Sequence, residues 1–215
     1  MRRRRLRKEE RRELILAAAA RVFAEKGYAG ATMAEIAGEA RVVKSVVYDH
    51  FGSKQELYVD LLRRHADALT AHVFDREAAR SPAAQFRDRM EAFFEFVEHD
   101  RFAWRMLFRD PPTGDVTIEA LHALIHARAR DAIRELFAAG ALTLEVEMPR
   151  QLANEMAAQA IKSINDGLAA WWYDNPTVPR DAVTAVAIGL AWRGVEQITW
   201  PSSRRSFQDR DQPRR

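Results

Sequence analysis

Apolar positions recur along this chain at the three-to-four-residue spacing of helices, and strand-like alternation is almost absent. From Glu9 to Lys26 one face is marked by Ile15, Ala18, Ala19, Val22 and Phe23, and Gly27 follows as a helix stop. Thr32 and Glu35 have the spacing of a capping box ahead of Ile36, Ala37 and Ala40. Ser53 and Glu56 repeat the device ahead of Leu57, Leu61, Leu62 and Ala66. Between the boxes lies room for one short helix, in the segment "RVVKSVVYDHFGSK" (41–54). Its valines favour a strand on propensity alone. At 100° per residue, however, Val43, Val47 and Phe51 share one side while Lys44, Ser45, Tyr48 and Asp49 share the other. Val46 and His50 fall at the border. The pattern predicts an amphipathic helix of about two turns.

Further on, Ser81 and Pro82 read as an N-cap followed by proline in the first turn. Phe86, Met90, Phe93, Phe94 and Val97 then form a buried stripe. A short helix over 101–109 ends at the loop "DPPTGD", and a longer one runs from Val116 to Ala139 and stops at Gly140. "ALTLEVEM" alternates, but with no partner strand it reads as a connector. Pro149 opens a helix reaching Trp172 or Tyr173, and the last helix spans Arg180 to Thr199. The expected fold is all-α, with about nine helices. The expected divisions are a disordered basic arm (1–8), a three-helix module (9–54), a larger helical body (55–200) and a polar tail (201–215).

Composition narrows the class. The chain has 215 residues, 47% hydrophobic and 30% charged, which suits a folded globular protein. It has no cysteine, so disulfides and thiolate metal sites are excluded. The apolar run Leu14 to Ala20 is flanked by Glu9, Glu10, Glu13, Arg21, Glu25 and Lys26, so the start does not read as a secretory signal. No segment approaches the ~20 apolar residues that span a bilayer. A cytoplasmic location is expected. The net charge of +3 divides unevenly, because residues 1–54 hold thirteen Lys and Arg against seven Asp and Glu. A basic end on a mildly acidic body points to a module that binds a polyanion.

Three short helices at the basic end, the third presenting Lys44, Ser45 and Tyr48, have the layout of a helix-turn-helix. In that motif the second helix of the pair enters the DNA major groove, while positive charge supplies affinity through the phosphates. Thr32, at a helix start, is placed to meet a phosphate. Lys44 and Ser45 stand at the groove-entering end, Val46 can touch a thymine methyl, and Arg41, Tyr48, His50 and Lys54 can reach the backbone. The stretches "ILAAAARVFAEKGYAGATMAEIAGEA" and "VYDHFGSKQEL" carry Phe23, Ala24, Gly27, Tyr28, Thr32, Ile36, Ala37, Tyr48, His50, Phe51 and Lys54 in order. In this combination they resemble the DNA-binding domain of the tetracycline-repressor (TetR/AcrR) family. The resemblance covers about fifty residues. Two positions depart from the family pattern: Arg41 replaces a turn glycine, and Val43 replaces a capping serine.

The resemblance implies a ligand-responsive repressor that binds a palindromic double-stranded DNA operator as a homodimer and is released by a small effector. It also implies dimerisation through the last two helices, where Ala182, Ala185, Ala187, Gly189 and Ala191 permit close approach or else face the chain's own core. Phe93, Phe96, Trp104, Phe108, Trp171, Trp172 and Trp192 either line an apolar effector cavity or fill the core. Within that set, Phe93, Trp104, Phe108 and Trp171 are the effector candidates, joined by Asn165 and Asp166, which interrupt an apolar helix either to orient a ligand or because they lie on its wet face. His122, His126 and Glu119 share a helix face but lack a metalloprotease pattern, so no metal site and no cofactor are expected. Phosphate loops and nucleophile elbows are absent, which leaves the alternative of a helical enzyme or carrier with little support.

Overall fold

The computed structural model describes residues 7–74, 81–109, 114–138 and 148–197. Among them the chain forms nine helices and no strand: α1 (Lys8–Gly30), α2 (Met33–Glu39), α3 (Lys44–His50), α4 (Lys54–Phe74), α5 (Pro82–His99), α6 (Arg101–Phe108), α7 (Val116–Ala138), α8 (Arg150–Asp174) and α9 (Arg180–Gln197). No described helix is long and apolar enough to cross a membrane. The expected connector at 141–148, except for Met148, the helix ends at Ala139 and Thr199, and the polar tail lie outside the described residues.

The helix starts follow from local chemistry. The Thr32 hydroxyl accepts from the Glu35 amide at 3.2 Å, and the Glu35 carboxylate accepts from the Thr32 amide at 2.9 Å. Ser53 accepts from the Glu56 amide at 3.0 Å and Ser81 from Ala84 at 3.2 Å. Asp115 caps α7 through the Thr117 and Ile118 amides and also accepts from the Gln55 side chain at 2.8 Å, which ties α7 to the start of α4. Helix α1 starts at Lys8, inside the expected disordered arm. At Gly27 the backbone turns to φ +69°, so the expected stop is a break within α1 before a last short turn.

Helix α1 packs on α4 and on α2, and α2 on α3, around Ile15, Phe23, Ile36, Val47, Phe51 and Leu57, all essentially inaccessible. Tyr58 of α4 meets the edges of Phe23 and Tyr28, with ring centroids 5.0 and 4.8 Å away. Helix α4 then continues into the body, where it packs on α5, α6 and α7, while α8 lies against α7 and α9. One core therefore runs through both parts of the chain. The small residues of α9 are divided: Ala187 and Ala191 are buried in that core, whereas Ala182 and Ala185 are exposed. Leu152, Met156, Trp171, Val186 and Leu190 are exposed on the same two helices.

Histidines at several helix contacts are held against protonation. Burial is the leading cause that lowers the pKa of His65, His122 and His126 below the usual 6.5. The unfolded chain binds protons at these rings more readily, so stability rises with pH across that window. Thermal unfolding should thus show a Tm that is flat above pH 7 and falls from pH 7 to pH 5. The His122→Gln variant should have a shallower slope, read by calorimetry.

Candidate nucleic-acid interface and internal cavity

The turn between α2 and α3 decides how α3 is presented. The Val42 amide bonds to the Ala37 carbonyl at 3.0 Å and the Arg41 amide to the Gly38 carbonyl at 3.0 Å, which is the Schellman closure of α2. That closure needs a left-handed residue after the cap, and Arg41 occupies it at φ +55°. A non-glycine residue in this region costs about 1–2 kcal/mol. Val43 follows as the N-cap of α3 with no side-chain hydrogen bond, leaving the first α3 amides open. Val43 is 66% exposed, which corrects its expected place beside Val47 and Phe51. The helical wheel fails there because Val43 precedes the helix, and the half-buried Val42 supplies the apolar contact instead.

On the outer face Arg41, Lys44, Ser45 and Tyr48 are all exposed, and the Lys44 ammonium lies 5.6 Å from the centre of the Tyr48 ring. The structure thus gathers four of the eight expected DNA-contacting residues on one open surface. Val46 is half-buried against the core. His50 is also half-buried, and burial followed by the charges of Lys8 and Arg11 keeps its ring below the usual histidine pKa. The Thr32 hydroxyl donates to Glu35 at 2.8 Å, so a phosphate there must draw it off that carboxylate. Lys26 in turn pairs with Glu35 at 2.7 Å and leads the causes that lower the Glu35 pKa.

Lys54 requires a correction. Its ammonium donates to the carbonyls of Tyr28, Ala31 and Ala29 at 2.7, 3.0 and 3.3 Å and sits 4.6 Å from the Tyr28 ring centre. It holds the end of α1 rather than reaching for a phosphate.

The body encloses an apolar cavity of about 60 Å³ among α4, α5, α7 and α8, with Phe108 contributed by α6. Phe93, Phe108 and Asn165 line it, as expected, joined by Asp166. Trp104 is 1% exposed but lies outside the lining, packed between Phe108 and Tyr173 with centroids 6.5 and 5.9 Å away. Trp171 is 51% exposed, on the opposite side of α8 from the cavity. Met90, Arg89 and Lys162 complete the polar and polarisable part of the lining. Lys162 was legible in principle, because it stands three and four residues before Asn165 and Asp166 on one helix face. The His122 Nδ1–H donates to the Leu107 carbonyl at 3.1 Å and His126 meets the edge of Phe108, so Glu119 and the two histidines do not converge. No metal-holding group of three such side chains occurs among the described residues.

Helix α6 joins the cavity to the basic end. Phe108 lines the cavity, and Arg105, one turn earlier, donates to the carbonyls of Ala24 and Phe23 in α1 at 2.9 and 3.5 Å. Arg101 donates to the Tyr173 carbonyl at 2.5 Å, and Arg109 grips Asp174 with both terminal nitrogens at 3.0 Å. The guanidinium groups of Arg101 and Arg109 lie 4.6 and 5.0 Å from the Tyr173 ring centre. One short helix therefore holds the end of α8 and the middle of α1 together.

Comparison with known proteins follows the same division. Residues 15–61 match the model of "Bacterial regulatory proteins, tetR family". The chain is 33% identical over 198 residues to the HTH-type transcriptional activator FasR of Mycolicibacterium smegmatis, covering 90% of this chain and 87% of FasR. A TetR-like transcriptional regulator from Rhodococcus sp. RHA1 superposes with a TM-score of 0.73 over 90% of this chain and 100% of its own, at 24% identity. FadR from Bacillus subtilis, solved in complex with stearoyl-CoA, superposes at 0.71 over 85% and 98%, at 15% identity.

Arg41 gives two opposite expectations. Arg41→Gly should stabilise the protein by about 1 kcal/mol in urea denaturation by relieving the left-handed strain, and should weaken DNA binding with a shallower salt dependence. Tyr48→Ala should weaken binding roughly tenfold or more with an unchanged unfolding midpoint. Anisotropy titrations on a selected duplex read both.

Proposed function

We propose that this chain, which belongs to the tetR family of bacterial regulatory proteins and is a transcriptional regulator rather than an enzyme, binds a palindromic operator as a homodimer and alters its grip when an apolar effector enters the cavity. The observation that carries the reading is α6, which presents Phe108 to the cavity and Arg105 to α1. A pocket for a drug-sized ligand measures ~300–1,000 Å³, so an effector must push the helices apart to fit within a space of about 60 Å³. The displaced lining includes α4 and α6, the helices that carry the basic end. Binding and operator affinity are then two readings of one equilibrium. The FasR relative bears the name of an activator, so the proposal concerns effector-controlled occupancy and drops the expected restriction to repression. As a DNA-binding regulator the protein acts in the cytoplasm.

An acyl chain suits the lining. Leu69, Val73, Phe86, Met90 and Ile161 are apolar or polarisable, and FadR shares the fold and holds stearoyl-CoA. The dimer is supported by Leu152, Met156, Trp171, Val186 and Leu190, an exposed apolar set on two adjacent helices. Two copies place two α3 helices for two half-sites.

Stearoyl-CoA should change operator affinity at least tenfold in anisotropy titrations, and no change would remove acyl-CoA as the effector. Arg105→Ala should keep operator binding within a few-fold while shrinking that response. Equal loss of both would give Arg105 a purely structural role. Leu190→Arg should convert a sedimenting dimer to monomer and abolish operator binding at nanomolar protein.

A further inference from the structure

The polar part of the cavity is built in an unusual balance. Asn165 is 93% buried, its amide nitrogen faces only the Met90 sulfur at 3.3 Å, and its Oδ1 has no hydrogen-bond partner among the described residues. Thioether sulfur is a weak acceptor, so neither end of this amide is well satisfied, whichever way it is turned. The amide N–H, held only by that weak sulfur acceptor, is the group that a ligand acceptor can engage, whereas Oδ1 needs a donor that a carbonyl does not supply. Beside it, Lys162 is nearly buried, ion-pairs with Asp166 one turn on, and lies 5.4 Å from the centre of the Phe108 ring. The lysine charge is already answered.

Resting on the effector reading above, we infer that Asn165 reads an uncharged hydrogen-bonding group on the effector, the carbonyl of an ester or thioester, while the Lys162–Asp166 pair turns away a free carboxylate. A carboxylate brought here loses its water and meets Asp166 of like charge, with Lys162 committed elsewhere. A carbonyl loses little hydration and receives the amide N–H, and the pair remains intact. Arg89, the other cation of the lining, lies on α5 over the Phe74 ring at 5.5 Å. Burial disfavours its charge, and Glu135 partly offsets that effect. The cavity thus sorts acyl derivatives from the acids they are made from or hydrolysed to.

The test uses the full-length protein at pH 8, with methyl decanoate, decanoate and decane as ligands and competition against a bound fluorophore as the readout. Methyl decanoate should bind at least tenfold more tightly than decanoate. Asn165→Leu should lower the ester affinity about tenfold, the loss of one hydrogen bond, and leave decane unchanged, which also reports that the cavity still folds. Asp166→Asn should raise decanoate affinity at least tenfold by freeing the lysine charge. Equal binding of acid and ester by the wild type overturns the inference and leaves the effector cavity standing. So does ester binding indifferent to Asn165→Leu, or decanoate binding that Arg89→Met abolishes. Failure of all three ligands to bind removes the cavity as an acyl site altogether.

Discussion

One ammonium group fixes where the basic module sits. Lys54 opens α4 and reaches back to three carbonyls at the end of α1, at the point where Gly27 has already broken the helix. Helix ends leave carbonyls without partners and carry partial negative charge, so a cation there is favoured twice. The Tyr28 ring covers the same ammonium, and the Tyr28–Tyr58–Phe23 contacts seal the joint from the apolar side. With α1 anchored to α4 in this way, and Arg12 paired to Asp60 at 2.6 Å, α2 and α3 can only hang at one angle. The direction in which the exposed α3 face points depends on that joint.

The same α4 belongs equally to the body. It contributes Leu69, Val73 and Phe74 to the cavity lining, and His65, whose ring faces the Asp100 carboxylate at 3.5 Å. Asp100 also caps α6 by accepting from the Ala103 amide at 2.8 Å. The two helices that touch the basic module are therefore joined to each other at a partly buried polar contact. A packed core has few ways to yield gradually, so any ligand that swelled the cavity would have to move whole helices.

The helices were readable because their signals are local. Thr32 with Glu35, Ser53 with Glu56, and Ser81 with Pro82 each state a helix start within four residues, and the structure uses all three. What the sequence misplaced depends on distance. Lys54 read as a phosphate ligand because its carbonyl partners lie more than twenty residues away. Val43 read as core because the wheel counted it as helical, whereas the helix starts one residue later, at Lys44. Trp104 and Trp171 were grouped with the cavity on size and chemistry alone, while α6 and α8 turn one inward beyond the lining and the other outward. Phe93, Phe108 and Asn165 were identifiable as a cavity set only in outline, because five helices from different parts of the chain must converge to line it.

Arg41 has a consequence outside the folded molecule. Every arginine codon is a single base change from a glycine codon, so relief of the left-handed turn is always within reach of ordinary mutation. A laboratory population selected for heat resistance alone would find glycine at position 41 early. One selected for holding DNA would keep the guanidinium on the open face.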